Sequence, residues 1–394
     1  MTEIRAPFAR HGRLKHPSGW CAVIKLMAVA IAVSLVSVVG IVAITAAQFG
    51  ISIESVAIPS GGAQAPGIGG IEGGFDVLIV GSDVCEDDSG CDGRGAAELN
   101  DVTMILHVSD DQTNAVAVSI PRDLIVPIPS CPIEDGGSTS AMSAQPISVT
   151  LMYGGLNCTA LTVTQLTGLS IDYAVEVKFT GVIAITDAIG GVDVCVDGAI
   201  DDKYSGFSVP AAGTYSLSGQ QALNFLRTRH GVGNGGDIGR ISTQQMYLSS
   251  MIRKLTASDG ALRNPIGGLT LAKAVRDNTI VSDNLKNPIT LFSMAQVTTK
   301  LDLAKIAFVQ YPAIDGTGSQ RNKVLPSTGE AAALFARIAA DGPVIPDTTG
   351  LGTSAVPNAA EMPAPTTPGV PEAVPLEGVT GQTAADATCA RSSS

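Results

Sequence analysis

The sequence predicts an α/β fold in which helices cover both faces of a central sheet. Short runs rich in β-branched residues, bounded by Gly, Asp and Pro, are typical of buried strands. These runs alternate with helical segments, which is the order expected of a sheet between helices. The predicted strands are 75–82, 102–109, 115–120, 173–179 and 191–196, and the predicted helices between them are 159–168 and 181–190.

Two further helices flank the glycine-rich stretch 231–236. Ser218 and Gln221 match an S-x-x-Q capping box, which predicts a helix that runs to Arg227. Beyond the glycines, apolar residues recur at helical spacing over 238–255. The second helix is therefore expected to carry Asp237 in its first turn.

The amino end predicts a membrane anchor. Residues 26–47 form an uncharged run of 22 residues, which as a helix is about 33 Å long and can cross a bilayer. Five basic residues and one acid precede it, so residues 1–25 are expected to stay in the cytoplasm. We expect an uncleaved, single-pass protein of the plasma membrane with its folded part outside; a cleaved signal peptide and a buried core helix are the alternatives.

Composition divides the remainder into three parts. Residues 48–74 are rich in Gly and Pro and predict a linker, and 75–342 are expected to form the folded domain. From 343 to 394 the chain is rich in Pro, Ala and Thr, which predicts a disordered tail. Six cysteines lie outside the membrane, and an even number there favours disulfides. Six cysteines allow about 15 connectivities, which the sequence leaves open; among them we favour Cys131 with Cys158 and Cys85 with Cys91.

Charge and motifs exclude several classes of protein. The chain has a formal net charge of −12, which argues against nucleic-acid binding because that needs a basic face. The stretch "GVGNGG" matches GxGxxG literally, but a predicted helix precedes it where a dinucleotide site needs a strand. No phosphate-loop or GxSxG motif occurs.

Two aspartates adjoin the ends of neighbouring predicted strands. Asp83 follows the first strand and Asp101 precedes the second. If these strands are antiparallel, both carboxylates lie at the same edge of the sheet, where a pair of carboxylates can hold Mg²⁺ beside phosphates. Each aspartate alone could equally cap a turn.

An arginine cluster predicts an anion site. Arg122 ends the third strand, and "RTRHGVGNGGDIGR" supplies Arg227, Arg229 and Arg240. Guanidinium groups bind phosphate oxygens in bidentate fashion and can neutralise a pyrophosphate. Arg227 and Arg229 share a site only if the first helix ends there. His230, at that helix end, is expected to be structural.

In their order along the chain, these motifs resemble the LytR-CpsA-Psr family of membrane-anchored cell-envelope enzymes, of the actinobacterial type. The stretches "VLIVGSD", "DVTMILHVS", "VSIPRDL" and "LSGQQALNFLRTRHGVGNGGDIGRISTQQMYL" carry the resemblance over residues 75–255. It implies an α/β/α sandwich with a mixed sheet and a groove for a polyprenyl chain. It also implies Mg²⁺-assisted transfer of a glycopolymer from a polyprenyl pyrophosphate carrier to peptidoglycan.

The resemblance gives each position a role. Asp83 and Asp101 correspond to magnesium ligands, and Arg122, Arg227 and Arg229 to a pyrophosphate clamp. Asp237 and Arg240 match the next pair; Asp237 would orient an arginine or accept the proton of the acceptor hydroxyl. Gln244 matches a polar, substrate-binding position, with a solvated helix glutamine as the alternative.

The chain departs from the family pattern at four positions. Cys85 and Leu99 stand where many members carry arginine, Ser148 replaces an asparagine, and Thr243 replaces an arginine. These changes bear on substrate preference and rate more than on the class of reaction. Two other functions remain open: a hydrolase that acts on the same lipid with water, and a non-catalytic binder of lipid phosphates or polyanions.

Overall fold

The computed structural model describes residues 53–59, 70–83, 98–133, 135–233, 235, 237–263, 265–317, 321, 323–347, 354–358 and 375–393. The predicted membrane segment 26–47 lies outside these residues. Among the residues described, no helix has the length and apolar character needed to cross a bilayer.

Strands and helices alternate along much of the chain, as the sequence predicts. The strands are β1 (Glu54–Val56), β2 (Phe75–Ser82), β3 (Asn100–Val108), β4 (Ala115–Ile120), β5 (Ile125–Ile128), β6 (Met142–Pro146), β7 (Tyr173–Val177), β8 (Val192–Val196), β9 (Ile200–Asp202), β10 (Phe207–Val209), β11 (Gly213–Leu217), β12 (Thr279–Ser282), β13 (Ile306–Gln310), β14 (Ala313–Asp315), β15 (Val324–Pro326), β16 (Ala355–Pro357), β17 (Gly381–Thr383) and β18 (Thr388–Ala390). The helices are α1 (Thr150–Thr167), α2 (Phe179–Ala188), α3 (Gly219–Arg227), α4 (Asp237–Thr256), α5 (Pro265–Asn278), α6 (Pro288–Thr298) and α7 (Thr328–Ala339).

A mixed sheet forms the centre of the fold. Within the described residues it has eight strands in the order β1-β12-β7-β2-β3-β4-β13-β17. The consecutive strands β2, β3 and β4 pair antiparallel, whereas β2 pairs with β7 and β4 with β13 in parallel. Parallel neighbours need crossover connections, which the intervening helices supply.

Helices cover both faces of this sheet. Alternate residues of β2 point to opposite faces: Leu78 joins a core that contains α1 and α7 residues such as Leu151 and Leu334. Val77 joins the core on the other face, against Val297 of α6 and with side chains of α4 and α5. This arrangement confirms the predicted α/β fold with a mixed central sheet.

The predicted strand 191–196 forms in a second sheet. As β8 it pairs with β11 and β18, in the order β11-β8-β18-β16. A third core packs this sheet against α3 and α4 through Phe225 and Tyr247. Helix α4 therefore contacts both sheets.

The prediction of a disordered tail is wrong for part of the carboxyl-terminal segment. Residues 381–383 form β17 at one edge of the central sheet, and 388–390 form β18. Backbone pairing to β13 and β8 supplies the order that the composition of this segment does not predict. In the predicted linker 48–74, Glu54–Val56 likewise forms β1 and pairs with β12.

The disulfide pattern is confirmed in part. Cys131 bonds to Cys158 as predicted. Cys195 bonds to Cys389, which the expectation of a disordered tail did not foresee. The predicted Cys85–Cys91 pair lies outside the described residues.

Two local predictions need correction. Ser218 does precede α3, but its side chain makes no capping hydrogen bond, so the capping box is not formed. Helix α1 begins nine residues before its predicted start and is interrupted at Gly154 and Gly155. A Cβ on Gly154 would lie 3.0 Å from the Cβ atoms of Cys131 and Cys158, so glycine lets the chain pass this disulfide closely.

Candidate active site

The two aspartates lie at the same edge of the central sheet, because β2 and β3 are antiparallel. Ser82 pairs with Asn100 after a local register shift. The Asp83 backbone N–H donates to the Leu99 carbonyl at 3.1 Å, and the Leu99 N–H donates to Asp83 Oδ1 at 2.8 Å. The Asp83 carboxylate therefore holds Leu99, the residue just before β3, and Asp101 is the second residue of that strand.

Arg122 lies beside Asp101. A guanidinium nitrogen of Arg122 donates to Asp101 Oδ1, and its Nε lies 3.4 Å from Asp123 Oδ1. The Ser148 N–H donates to the Arg122 carbonyl at 3.1 Å. The arginine expected to bind phosphate and the aspartate expected to bind metal are thus immediate neighbours.

Helix α4 supplies a second arginine to the same aspartate. Arg240 is only 4% exposed, and its Nη2 donates to the backbone carbonyl of Asp101 at 3.0 Å. One turn later, Gln244 is also buried and donates from Nε2 to the Leu226 carbonyl at 3.3 Å. Gln244 is therefore not a solvated helix residue, because it satisfies a carbonyl at the end of α3.

Helix α3 ends at Arg227, as a shared site for Arg227 and Arg229 requires. Arg227 is its last residue, and Thr228 is extended, with ψ 130°. The Arg227 guanidinium lies 5.0 Å from the centre of the Phe179 ring, within cation–π range. Arg229 is half-buried and does not line the cavity that Arg227 lines.

Asp237 begins α4, one turn before Arg240. Its side chain lies outside what the structure describes. Its backbone position confirms that Asp237 and Arg240 occupy the first turn of one helix, where the helix dipole favours an anion.

An apolar cavity of about 250 Å³ opens between the central sheet and three helices. Its charged residues come from the ends of elements: Asp101 from the start of β3, Arg227 from the end of α3 and Arg240 from the start of α4. The apolar wall comes from Ile79, Met104 and Val177 of the sheet, Phe179, Val182 and Ile185 of α2, Leu223 and Leu226 of α3, and Tyr247, Leu248 and Met251 of α4.

Asp202, which belongs to none of the sequence motifs above, holds the arginine segment in place. Its buried carboxylate accepts backbone N–H groups of Arg229 and His230 at 2.8 and 3.0 Å, and of Tyr204 and Ser205 at 3.0 and 3.4 Å. Burial tends to raise the pKa of Asp202, but these four donors outweigh it and hold the pKa below its ordinary value. The signal in the sequence is the turn-forming stretch "DDKYSG".

A second carboxyl group outside the sequence motifs lies behind the cavity wall. Val177 lines the cavity, so its neighbour in β7, Glu176, points to the opposite face of the sheet. Glu176 is 2% exposed, and burial, together with the nearby Glu98, raises its pKa from 4.5 to about 7.

The donor set at the sheet edge fits a metal ion only in part. Asp83 and Asp101 offer the hard oxygen ligands that Mg²⁺ prefers. In the part of the chain that the structure describes, no group of three or more His, Cys, Asp or Glu side chains is arranged to hold a metal ion. An ion at these two carboxylates would therefore need further oxygens, such as those of a pyrophosphate.

The fold and this site define an α/β protein with a largely apolar cavity of about 250 Å³ that is also lined by Asp101, Arg227 and Arg240. Residues 64–334 match the LytR_cpsA_psr family. The chain belongs to this family.

Sequence similarity to characterised proteins is consistent with that membership. The chain is 31% identical over 282 residues to the cell wall biosynthesis protein LcpA of Corynebacterium glutamicum, covering 64% of this chain and 53% of LcpA. It is 24% identical over 250 residues to the polyisoprenyl-teichoic acid–peptidoglycan teichoic acid transferase TagU of Enterococcus faecalis, covering 64% of this chain and 73% of TagU. The chain thus spans about half the length of LcpA.

A solved structure shares the fold. The LytR-Csp2A-Psr enzyme from Actinomyces oris superposes with a TM-score of 0.53 at 21% sequence identity, covering 73% of this chain and 95% of that one.

Proposed function

We propose that the chain is a phosphotransferase that moves a glycopolymer from a polyprenyl pyrophosphate carrier onto peptidoglycan. One observation carries this proposal: Arg227, Arg240 and Asp101 gather at the ends of elements around a cavity whose other walls are mostly apolar, with Thr186 and Gln244 as further polar lining residues. An isoprenoid chain suits the apolar wall, and its pyrophosphate suits the arginines. The name of TagU supports the same class of reaction, and the name of LcpA supports a role in cell wall biosynthesis.

The transfer exchanges one phosphorus–oxygen bond for another. A hydroxyl oxygen of peptidoglycan bonds to the phosphorus that carries the glycopolymer, and the bond from that phosphorus to polyprenyl phosphate breaks. The hydroxyl proton leaves the acceptor, and polyprenyl phosphate departs as the anion. Asp237 is the candidate either to accept that proton or to orient an arginine.

The arginines act on charge. Arg227 and Arg240 reach the cavity, and Arg122 adjoins it through Asp101. Positive charge held close to the bridging oxygen stabilises the leaving phosphate more in the transition state than in the ground state. Arg229, fixed through its backbone by Asp202, would complete the clamp from outside the cavity.

We propose Mg²⁺ as the cofactor, held by Asp83 and Asp101 with oxygens of the pyrophosphate. When bound, it would neutralise charge on the phosphates that react. The Arg122–Asp101 pair would then rearrange, so that Arg122 turns from the carboxylate to the substrate.

The plasma membrane completes the proposal. The uncharged segment 26–47 and its basic flank support a single-pass anchor with residues 1–25 in the cytoplasm. The catalytic domain would then bind the lipid carrier at the outer face of the plasma membrane. Limited proteolysis of intact and lysed protoplasts tests this orientation.

Full-length protein in detergent, incubated with a polyprenyl pyrophosphate-linked glycan, tests the reaction. Ligated product should form with uncross-linked peptidoglycan, decline with EDTA and recover with Mg²⁺. Arg227→Ala should lower turnover about 100-fold or more, the usual scale for losing one group that stabilises transition-state charge.

Arg263→Ala is the matched control, because this arginine is exposed in the segment after α4. Product without peptidoglycan would instead indicate a hydrolase. Binding of the lipid without turnover would indicate a non-catalytic protein, and equal turnover of the two variants would overturn the site.

A further inference from the structure

Two exposed aromatic rings lie against each other beside the segment that carries Arg227 and Arg229. The Tyr204 and His230 rings have centroids 4.4 Å apart, inclined by 40°. Tyr204 is 77% exposed and the His230 side chain is 57% exposed. Neither lines the apolar cavity, so these rings form a separate surface.

Hydrogen bonds hold the backbone at both ring-bearing residues. Asp202 accepts the N–H groups of Tyr204 and of His230, one on each carboxylate oxygen. Ser205 Oγ and Thr228 Oγ1 hydrogen-bond at 2.9 Å and join the same two segments. An exposed aromatic residue on so constrained a loop is preorganised for binding, since little entropy is lost when a partner packs on it.

The ring pair lies close to the arginines. His230 directly follows Arg229 and is three residues beyond Arg227, so its Cα is within about 11 Å of the Arg227 Cα. In phosphoryl transfer the nucleophile enters roughly in line with, and opposite to, the leaving oxygen. The leaving polyprenyl phosphate belongs to the cavity, so the acceptor approaches from outside the cavity.

We propose that Tyr204 and His230 bind a pyranose ring of the acceptor glycan, a role that rests on the proposed transferase function. One face of a pyranose carries C–H groups that pack against an aromatic ring, and its hydroxyl groups hydrogen-bond to imidazole nitrogens at the edge. A sugar ring therefore suits both the aromatic face of Tyr204 and the polar edge of His230.

A fluorescence titration tests binding without turnover. The only tryptophan in the chain is Trp20, so full-length protein with Trp20→Phe and Tyr204→Trp carries a single reporter at the ring pair. Soluble, uncross-linked peptidoglycan strands should shift its emission saturably. A shift with the polyprenyl pyrophosphate-linked glycan alone, or no shift with the strands, would overturn the assignment.

Kinetics test the same role in catalysis. Tyr204→Ala should raise the KM for the peptidoglycan acceptor roughly three- to tenfold, on the scale of an aromatic contact, and leave kcat and the KM for the lipid donor in place. Tyr204→Phe should restore the original KM. Phe292→Ala removes a similarly exposed aromatic ring from α6 and should change nothing.

The two readouts separate the proposals. Saturable binding of strands without any ligation would support sugar binding by the ring pair and contradict the transferase function. Normal ligation with an unchanged acceptor KM in Tyr204→Ala would contradict sugar binding by the ring pair and support the transferase function.

Discussion

A single buried carboxylate organises the segment that carries the candidate clamp. Asp202 receives N–H groups from two stretches of chain, the turn after β9 and the segment after α3. A carboxylate can accept several such bonds, and charge assistance makes each stronger than a neutral one. The position of Arg229 therefore depends on a residue that need not touch substrate.

Asp202→Asn tests this dependence. The amide keeps one acceptor oxygen in place of two and loses the charge, so we expect a loss of about 1–3 kcal/mol in stability and a marked drop in ligation. Thermal melting and ligation rates measure the two effects. Asp201→Asn, at the exposed neighbouring position, is the control; equal losses in both variants would contradict a specific role for Asp202.

Glu176 makes stability depend on pH. Its pKa is about 7 in the folded protein against 4.5 ordinarily, so the folded state binds the proton more tightly. The stability from this group is complete below pH 4.5 and is lost as the pH rises through 7, by at most about 3 kcal/mol.

Glu176→Gln should remove that loss. Urea unfolding of the variant and of the wild type, compared at pH 5 and pH 8, should show the variant gaining relative stability at the higher pH. The exposed Glu54→Gln change in β1 should give the same difference at both pH values. A parallel response of the two variants would show that Glu176 is not the titrating group.

At the residue scale, local sequence patterns predict the features that depend on residues close together in the chain. The same-edge placement of Asp83 and Asp101 follows from two consecutive strands, and the end of α3 at Arg227 follows from the glycines beyond it. The turn at Asp202 is predictable from its own stretch, but its link to Arg229 and His230 is not, because these donors lie 27 and 28 positions along the chain. Gln244 likewise has its partner on another helix.

At the element scale, the most accurate predictions concern strands with consecutive partners. The predicted bounds 75–82 and 115–120 match β2 and β4 residue for residue. The second sheet could not be predicted in full, since β8 pairs on one side with the nearby β11 but on the other with β18, which lies almost two hundred residues along the chain. The composition of the tail indicates disorder because it is rich in Pro, Ala, Thr and Gly and contains no aromatic residues, whereas strand pairing and a disulfide order its end.

The two disulfides close loops of very different length. Cys131 and Cys158 are 27 residues apart, and Cys195 and Cys389 are 194 apart. In the chain-entropy description, a cross-link removes more disorder from the unfolded chain when its loop is longer.

Replacing both cysteines of each pair by serine tests that description. Loss of Cys195–Cys389 should cost about 1–2 kcal/mol more than loss of Cys131–Cys158. Urea unfolding of the two double variants, each against the wild type under oxidising conditions, measures the difference. The reverse order would show that native packing around the Cys131–Cys158 bond outweighs loop entropy.

At the scale of the whole molecule, the carboxyl-terminal segment reaches the candidate site. The Gly233 N–H donates to the Arg391 carbonyl at 2.9 Å, and the Ser393 N–H donates to the Gly231 carbonyl at 3.0 Å. The same segment places β18 beside β8. Both ends of the described chain thus contribute strands, and the glycine-rich loop after the arginines is anchored by the last residues.

The cavity is where the proposed donor lipid would bind, so filling it should weaken donor binding. Val182 on α2 lines the cavity, whereas its neighbour Ile183 does not. Val182→Phe adds volume where an isoprenoid would lie, and excess volume in a packed space costs typically 1–3 kcal/mol. We expect the KM for the polyprenyl pyrophosphate donor to rise about tenfold or more, with the acceptor KM unchanged, and Ile183→Phe to leave the donor KM near its original value. Steady-state ligation at varied donor concentration gives both constants, and thermal melting confirms that each variant is folded. An unchanged donor KM in folded Val182→Phe would place the lipid elsewhere on the protein.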